Sequence, residues 1–180
     1  LQIYNQFKDT TIPSKLFTKN NYKYMDKYAV SWHKTDKGVE KSLCDEGIKF
    51  TSFGLNKIQF IQFTYKVFFL FKKINPSVIH VHHSYSAILS TIVFKIFFRG
   101  VAIITIHSDY SRYTIIQKIS FLLTMLFSDS IISNSKNTHN LLPFFLKAKS
   151  TVIYNGVDLS EIQKIMKSKR RGEEGNVFNI

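Results

Sequence analysis

The segment Pro76-Ser-Val-Ile-His-Val-His-His83, with Val101-Ala-Ile-Ile-Thr-Ile106 and Ser130-Ile-Ile-Ser133 after it, decides the fold class of this chain. Each is a short run rich in β-branched residues, and several lack the polar–apolar alternation of a strand that faces water. Longer segments with apolar residues at three- and four-residue spacing lie between such runs. This alternation predicts a Rossmann-like α/β fold, in which helices cover both faces of a parallel sheet.

Seven strands and two clear helices follow from the same patterns. The strands are predicted at residues 1–7, 27–32, 48–52, 78–81, 101–106, 130–133 and 151–154. The helices are predicted at residues 56–73 and 113–127. Their expected buried stripes are Phe60, Phe63, Val67 and Leu70 in the first helix, and Ile115, Ile119, Leu122 and Leu126 in the second.

Composition limits the chain to one folded domain of ordinary size. With 180 residues, of which 44% are hydrophobic and 21% charged, it can bury a core and is not disordered. Its single cysteine, Cys44, excludes an internal disulfide framework. No stretch reaches the roughly 18 consecutive apolar residues of a spanning helix. The net charge of +13 predicts an anionic partner, such as nucleic acid, acidic lipid or a phosphate-bearing substrate.

The sequence near residue 180 predicts a second domain. A polar, charged run at residues 167–174 is followed at residues 177–180 by residues typical of a new strand. We therefore expect residues 1–168 to form an N-terminal domain. Residues 169–180 are expected to be a linker and the first strand of a C-terminal domain.

Three segments, read in order, resemble the retaining GT-B glycosyltransferases of family 4. The first is Pro76–His83, like the family strand that ends in His-x-His, and the second is Ile103-Ile-Thr-Ile-His-Ser108, like the strand that ends in Thr-x-His. The third pairs Phe127-Ser-Asp-Ser-Ile-Ile-Ser-Asn-Ser135 with Val152-Ile-Tyr-Asn-Gly-Val-Asp158, and this pairing is the most specific of the three. A weaker match is Leu43-Cys-Asp-Glu-Gly-Ile48.

The resemblance runs from about residue 42 to residue 158 and implies a function as well as a fold. Family 4 enzymes hold the acceptor on an N-terminal Rossmann-like domain and the nucleotide-sugar on a C-terminal one, and they react in the cleft between. The resemblance implies that the complete protein moves a sugar from a nucleotide-sugar to a lipid-linked or polysaccharide acceptor, with retention, in surface glycan synthesis. This chain would supply the acceptor side and is expected to be inactive by itself.

One loop departs from the family pattern. The family's first loop usually carries a Gly-Gly pair, whereas residues 8–14 read Lys-Asp-Thr-Thr-Ile-Pro-Ser. Because glycine lets backbone N–H groups approach a phosphate closely, its absence argues against a phosphate cradle here. The hydroxyls of Thr10 and Thr11 are expected to bind a sugar instead. The family's Glu-x7-Glu motif, which contacts the donor sugar, would lie beyond Ile180.

Ligands of open parallel sheets bind outside the carboxyl ends of the strands, and this selects the candidate site residues. His107 is the main candidate for a catalytic residue, because the resemblance implies that a histidine here lies beside the donor sugar and helps to orient it. A neutral imidazole donates one hydrogen bond and accepts another, which suits a sugar hydroxyl. A strand-end histidine bonded to a neighbouring loop is the alternative. The other candidates for substrate binding are Thr10, Thr11, His82, His83, Ser108, Ser135 and Asn155.

The cluster of His80, His82 and His83 raises the question of a metal. Alternation places His80 and His82 on one side of the strand and His83 on the other, and zinc would need further ligands. Cys44 is expected on a distant, solvent-facing helix. The chain has no Asp-x-Asp pair, in agreement with a GT-B enzyme. We therefore expect no metal or other cofactor, with a nucleotide-sugar as the donor substrate.

The helix predicted at residues 56–73 carries more apolar residues than one buried face requires. Those outside the predicted stripe are Ile61, Tyr65, Phe68 and Phe69, and lysines border them. Apolar side chains with flanking cations suit an anionic membrane surface. A helix enclosed between the sheet and a neighbouring helix is the alternative. We expect a cytoplasmic protein that contacts the inner face of the plasma membrane peripherally.

Two other functions stay open on the sequence. A non-catalytic acceptor-binding protein is compatible with the glycine-free loop. A basic nucleic-acid-binding module is compatible with the charge of +13, but we find no zinc knuckle, RNA-binding aromatic signature or helix-turn-helix spacing. The lysines are also scattered rather than gathered in one stripe, so no nucleic-acid partner is expected.

Overall fold

A computed structural model describes residues 1–4, 26–56, 58–82, 85–107 and 113–154. In these residues, seven strands alternate with helices. The strands are β1 (Gln2–Tyr4), β2 (Tyr28–Ser31), β3 (Lys49–Ser52), β4 (Val78–His82), β5 (Val101–Ile106), β6 (Ser130–Ser133) and β7 (Ser150–Val152). The helices are α1 (Lys37–Asp45), α2 (Phe60–Ile74), α3 (Tyr85–Phe97), α4 (Ile115–Phe127), α5 (Lys136–Asn140) and α6 (Phe144–Lys147).

The seven strands form one parallel sheet in the order β3-β2-β1-β4-β5-β6-β7. This confirms the predicted Rossmann-like α/β fold and the described parts of all seven predicted strands. The chain moves outward from β1 to β3, returns to place β4 beside β1, and then moves outward in the opposite direction. The reversal of strand order between β1 and β4 marks the place where open α/β sheets bind their ligands.

One face of the sheet is aliphatic and carries the main core. Ile3, Val81, Ile104 and Ile131 are fully buried on four neighbouring strands and belong to a single hydrophobic cluster. Right-handed crossovers from β3 to β6 place α2, α3 and α4 on this face. Accordingly α2 packs against α3, and α3 packs against α4. We call these three helices the helical layer.

The buried side of α2 matches the predicted stripe at two positions and differs from it at the other two. Phe63 and Val67 are buried as predicted, but the third buried residue is Phe71, whose ring packs edge-to-face on Phe94 at 5.5 Å. Leu70 is only half-buried, and Phe60 at the start of the helix is 40% exposed. The helix ends at Asn75, which adopts a left-handed conformation and donates its backbone N–H to the Phe71 carbonyl.

The prediction for α4 was wrong for three of its four stripe residues. Phe121, Thr124 and Met125 are buried, and Leu122 of the predicted stripe packs partly buried against the core, whereas Ile115, Ile119 and Leu126 are exposed. The helix is apolar around most of its circumference, so spacing alone does not decide which stripe is buried. Every exposed residue of α4 is apolar: Ile115, Ile116, Ile119, Leu123, Leu126 and Phe127.

The opposite face of the sheet carries α1 and a smaller cluster of Tyr4, Ala29, Leu43 and Ile48. Helix α1 begins at Asp36, whose carboxylate accepts a hydrogen bond from the backbone N–H of Gly38 at 2.7 Å. Cys44 is exposed on this helix, as predicted. None of the described helices combines the length and the hydropathy that crossing a membrane requires.

We expect the two sides of α4 to differ in stability measurements. Phe121→Ala removes a buried ring and should lower the free energy of unfolding by about 3–5 kcal/mol. Ile119→Ala, the matched exposed change, should alter it by about 0.5 kcal/mol or less. Urea unfolding followed by circular dichroism measures both, and a larger loss for Ile119→Ala would contradict the orientation of the helix.

Candidate functional site

Polar side chains occupy the centre of the face opposite the helical layer. They are Gln2 and Tyr4 on β1, His80 and His82 on β4, Thr105 on β5, and His107 directly after β5. The two-residue alternation of the strands places them on one face, away from Ile3, Val81 and Ile104. Parallel register brings Gln2 beside His80, and His82 beside Thr105. The two strands that meet at the reversal of strand order therefore carry the polar groups.

Hydrogen bonds join these side chains across three strands. His82 Nδ1 lies 2.9 Å from His107 Nε2, and His82 Nε2 lies 3.3 Å from Gln2 Oε1. The Tyr4 hydroxyl donates to the same Gln2 oxygen. The Tyr4 ring also stacks on the His82 ring, with centroids 4.5 Å apart and planes 14° from parallel. His82 is therefore fixed in position and orientation from two sides.

The hydrogen-bond partners of His82 determine the tautomer of His107. Gln2 Oε1 only accepts hydrogen bonds, so His82 donates through Nε2 and its neutral ring accepts through Nδ1. His107 must then donate through Nε2, and its neutral ring carries an acceptor lone pair on Nδ1.

The backbone of His107 is held from β6. Asn134 Nδ2 donates to the His107 carbonyl at 3.0 Å, and Thr138 in turn donates its hydroxyl to Asn134 Oδ1 at 3.2 Å. Ser135 caps the short helix α5, since its Oγ accepts from the Thr138 backbone N–H at 3.1 Å. Ser135 thus lies next to the residue that holds His107, with its hydroxyl engaged in the cap.

Burial keeps the imidazoles neutral. Desolvation lowers the pKa of His80 to about 4, and the neighbouring His107 adds to the effect. The pKa of His82 is well below its ordinary value because of burial first and the other two rings second. Burial also lowers the pKa of His107. A neutral cluster of hydrogen-bonding groups suits the hydroxyls of a sugar better than the charges of a diphosphate.

Among the described residues, no three His, Cys, Asp or Glu side chains are grouped in a way that could hold a metal ion. Both ring nitrogens of His82 are engaged, one by His107 and one by Gln2. His80 Nε2 lies 2.6 Å from Thr105 Oγ1. These contacts explain the His80 and His82 pair as part of the polar network.

The structure brings together His82 and His107 from the predicted site and places Ser135 nearby. Five other predicted residues lie outside the described residues: Thr10, Thr11, His83, Ser108 and Asn155. The sequence interpretation missed Gln2 and Tyr4, which orient His82. The signal was present, because Gln2 and Tyr4 share the two-residue spacing of His80 and His82. Only the pairing of β1 with β4 shows that Gln2 and Tyr4 lie on the same face of the sheet as the two histidines.

The buried imidazoles should make stability depend on pH. The pKa of His80 is about 4 in the folded chain and about 6.5 in an unfolded one, so no effect is expected above pH 6.5. As the pH falls below 6.5, the unfolded chain takes up a proton that the folded chain does not. Stability should then fall by about 1.4 kcal/mol per pH unit from this residue, until the effect is complete near pH 4.

Urea unfolding of the chain and of His80→Gln at pH 7, 6 and 5 tests this dependence. The glutamine amide can still reach Thr105 Oγ1 but has no proton to take up. The variant should therefore lose less stability per pH unit than the unmodified chain. Equal losses would show that His80 does not carry the dependence.

Three solved structures have a fold similar to that of this chain. Anabaena HepE, solved in complex with UDP and glucose, matches with 16% identity and a TM-score of 0.65 over 93% of this chain and 49% of its own. A glycosyltransferase from Rickettsia africae matches with 15% identity and a TM-score of 0.63, over 94% and 48% of the two chains. A UDP-GlcNAc 2-epimerase from Methanocaldococcus jannaschii matches with 13% identity and a TM-score of 0.64, over 86% and 45%.

The chain thus spans about half the length of the structures it matches. No curated protein matches its sequence. The family description Glycosyltransferase Family 4 matches residues 32–161, which include α1 to α6, the strands β3 to β7 and both His82 and His107. The chain belongs to glycosyltransferase family 4.

Proposed function

We propose that the complete protein transfers a sugar from a nucleotide-sugar to a lipid-linked or polysaccharide acceptor, with retention, in surface glycan synthesis. In this proposal the chain supplies the acceptor side of the cleft and is inactive by itself. Residues 1–168 form the acceptor domain, and residues 169–180 lead into a domain that binds the nucleotide-sugar. A UDP-sugar is the first donor to test, since HepE was solved with UDP and glucose.

The position of His107 carries the proposal. It follows β5 at the carboxyl edge of the sheet, it is held through His82 and Asn134, and its Nδ1 lone pair is the acceptor of the neutral ring. A hydrogen-bonding group fixed in advance needs no reorganisation when it meets a sugar hydroxyl. The low pKa of His107 supports a role in orienting the sugar rather than in exchanging protons.

The remaining predicted residues complete the acceptor side in this proposal. His82 acts as a positioning residue, since it reaches the sugar only through His107. Thr10, Thr11, His83, Ser108, Ser135 and Asn155 stay predicted contacts for the substrate. No metal or other cofactor is included, because the proposal assigns the diphosphate to the second domain.

His107→Ala in the complete protein should lower kcat strongly. The loss of one preorganised hydrogen-bonding group costs about 100- to 1,000-fold in comparable sites. His107→Asn places an amide oxygen near the position of Nδ1 and should keep part of the turnover. Release of UDP from candidate UDP-sugars measures kcat, and thermal unfolding confirms that both variants fold. Unchanged turnover in His107→Ala would contradict the role.

Peripheral contact with the cytoplasmic face of the plasma membrane is the second part of the proposal. The three helices of the helical layer contain no Asp or Glu and carry five lysines: Lys66, Lys72, Lys73, Lys95 and Lys118. Lys95 is paired with Asp129, just after α4, at 2.9 Å. The exposed residues of α4 are all apolar, and α2 exposes Ile61, Tyr65 and Phe69. Exposed apolar groups with an excess of cations over anions favour an anionic bilayer.

Co-sedimentation with vesicles of anionic and neutral phospholipid tests the membrane contact. Binding should require the anionic lipid and weaken at high salt, because salt screens the lysines. Ile119→Glu on the exposed side of α4 should weaken it further. The matched control is Cys44→Glu, the same added charge on α1 at the opposite face of the sheet. Equal binding to purely neutral vesicles would contradict the proposal.

A further inference from the structure

A groove of about 580 Å³ runs along the outer surface between α2 and α3. Its lining is almost entirely apolar: Phe60, Ile61, Thr64, Tyr65 and Phe68 from α2, and Leu89, Val93 and Phe97 from α3. Its volume is typical of small-molecule sites, whereas its lining lacks the convergent polar groups that orient a polar ligand. The groove lies on the aliphatic side of the sheet and is separate from the histidine cluster.

We infer that this groove binds the hydrocarbon chain of a lipid-linked acceptor, whose saccharide then reaches the carboxyl edge of the sheet. The inference rests on the proposed function for the identity of the acceptor. The inference favours a lipid-linked acceptor over a free polysaccharide, because a polysaccharide has no hydrocarbon part that could bind in an apolar groove. It adds a binding site to the chain that the sugar-binding residues do not provide.

The direction of the groove supports this occupant. Helices α2 and α3 follow the carboxyl ends of β3 and β4, so both run from that edge of the sheet toward the opposite one. At the carboxyl edge the rings of Phe60 and Tyr85 meet at 6.3 Å, and α3 begins at Tyr85, three residues after His82. At the other end Phe68 packs edge-to-face on Phe97 at 5.3 Å. The groove therefore starts on the same edge as the proposed sugar site.

The dimensions and chemistry of the groove fit an alkyl chain. From Phe60 to Phe68 the helix rises roughly 12 Å, and the aromatic pair of Phe68 and Phe97 stands at the far end. The hydroxyl of Thr64 already donates a hydrogen bond to the Phe60 carbonyl at 2.9 Å, so it does not need a hydrogen-bond acceptor from a ligand. Ile61 and Tyr65 form an exposed rim, at 87% and 64% exposure. A chain in this groove would cover apolar surface that water now contacts.

The charge of the two helices is compatible with an anionic lipid. Neither α2 nor α3 contains Asp or Glu, and α2 carries Lys66, Lys72 and Lys73. Lys66 lies on the side of α2 away from the groove, where its Nζ donates to the Phe53 carbonyl at 3.3 Å, and Lys72 and Lys73 lie in the last turn of the helix. These cations give the surface around the groove a positive potential, which favours an anionic over a cationic lipid.

Binding of monomeric alkyl phosphates tests the inference on the 180-residue chain. Trp32 is the single tryptophan, and its ring packs edge-to-face on Phe60 at 5.4 Å, so its fluorescence reports on the groove. Octyl, nonyl and decyl phosphate, each below its micelle concentration, should bind saturably. Affinity should rise about fourfold for each added methylene group. Absence of saturable binding, or affinity independent of chain length, would overturn the inference.

Matched variants locate the binding. Ile61→Glu places a carboxylate on the exposed rim, and Thr64→Phe fills the groove; each should lower the affinity for decyl phosphate at least tenfold. Cys44→Glu adds the same charge on α1, at the opposite face of the sheet, and should leave the affinity unchanged. Calorimetry measures all three. An equal loss in Cys44→Glu would overturn the groove as the site, because it would show a general effect of added negative charge.

The outcome is separable from that of the proposed function, because alkyl phosphate binding needs neither donor nor transfer. Binding by the chain, with no transfer by the complete protein to any lipid-linked or polysaccharide acceptor, would refute the proposed function and leave a lipid-chain site. Transfer to a water-soluble saccharide, with no alkyl phosphate binding, would refute only the groove.

Discussion

The two-residue alternation of β4 is the constraint on which the rest of the structure depends. Ile79 and Val81 point to the aliphatic face, and His80 and His82 point to the other. A shift of one residue would place two imidazoles under the helical layer and two aliphatic side chains at the polar site. One strand therefore fixes both the core and the candidate site, which explains why each is tightly tied to its neighbours.

Burying three imidazoles in contact requires that none of them be charged. The rings of His82 and His107 lie 5.2 Å apart, and those of His80 and His82 lie 4.6 Å apart, so a proton on one would repel a proton on the next. Hydrogen bonds to Gln2 and Thr105 satisfy ring nitrogens without bringing a charge. The same neutrality leaves His107 the acceptor lone pair that the proposed sugar contact needs, so packing and the proposed binding depend on one condition.

Much of the fold was predictable because strands buried on both faces have a strong local signature. The described parts of all seven strands were located, and the family pattern selected His107 and His82, which the structure brings into contact. The orientation of α4 was not predictable, since a helix that is apolar on most sides has no unique inward stripe. Nor were Gln2 and Tyr4, because β1 is separated from β4 by more than seventy residues and only their pairing reveals the contact.

The wrong prediction for α4 and the groove beside α2 have the same physical origin. The helical layer buries one apolar side against the sheet and presents a second apolar side outward, with lysines but no carboxylates among its charges. Folding needs only the first side, because Phe63, Phe94 and Met125 already complete the core. Retaining the second side exposes apolar surface to water. The proposed lipid partner would offset that cost, because it would cover this surface when the protein is bound to it.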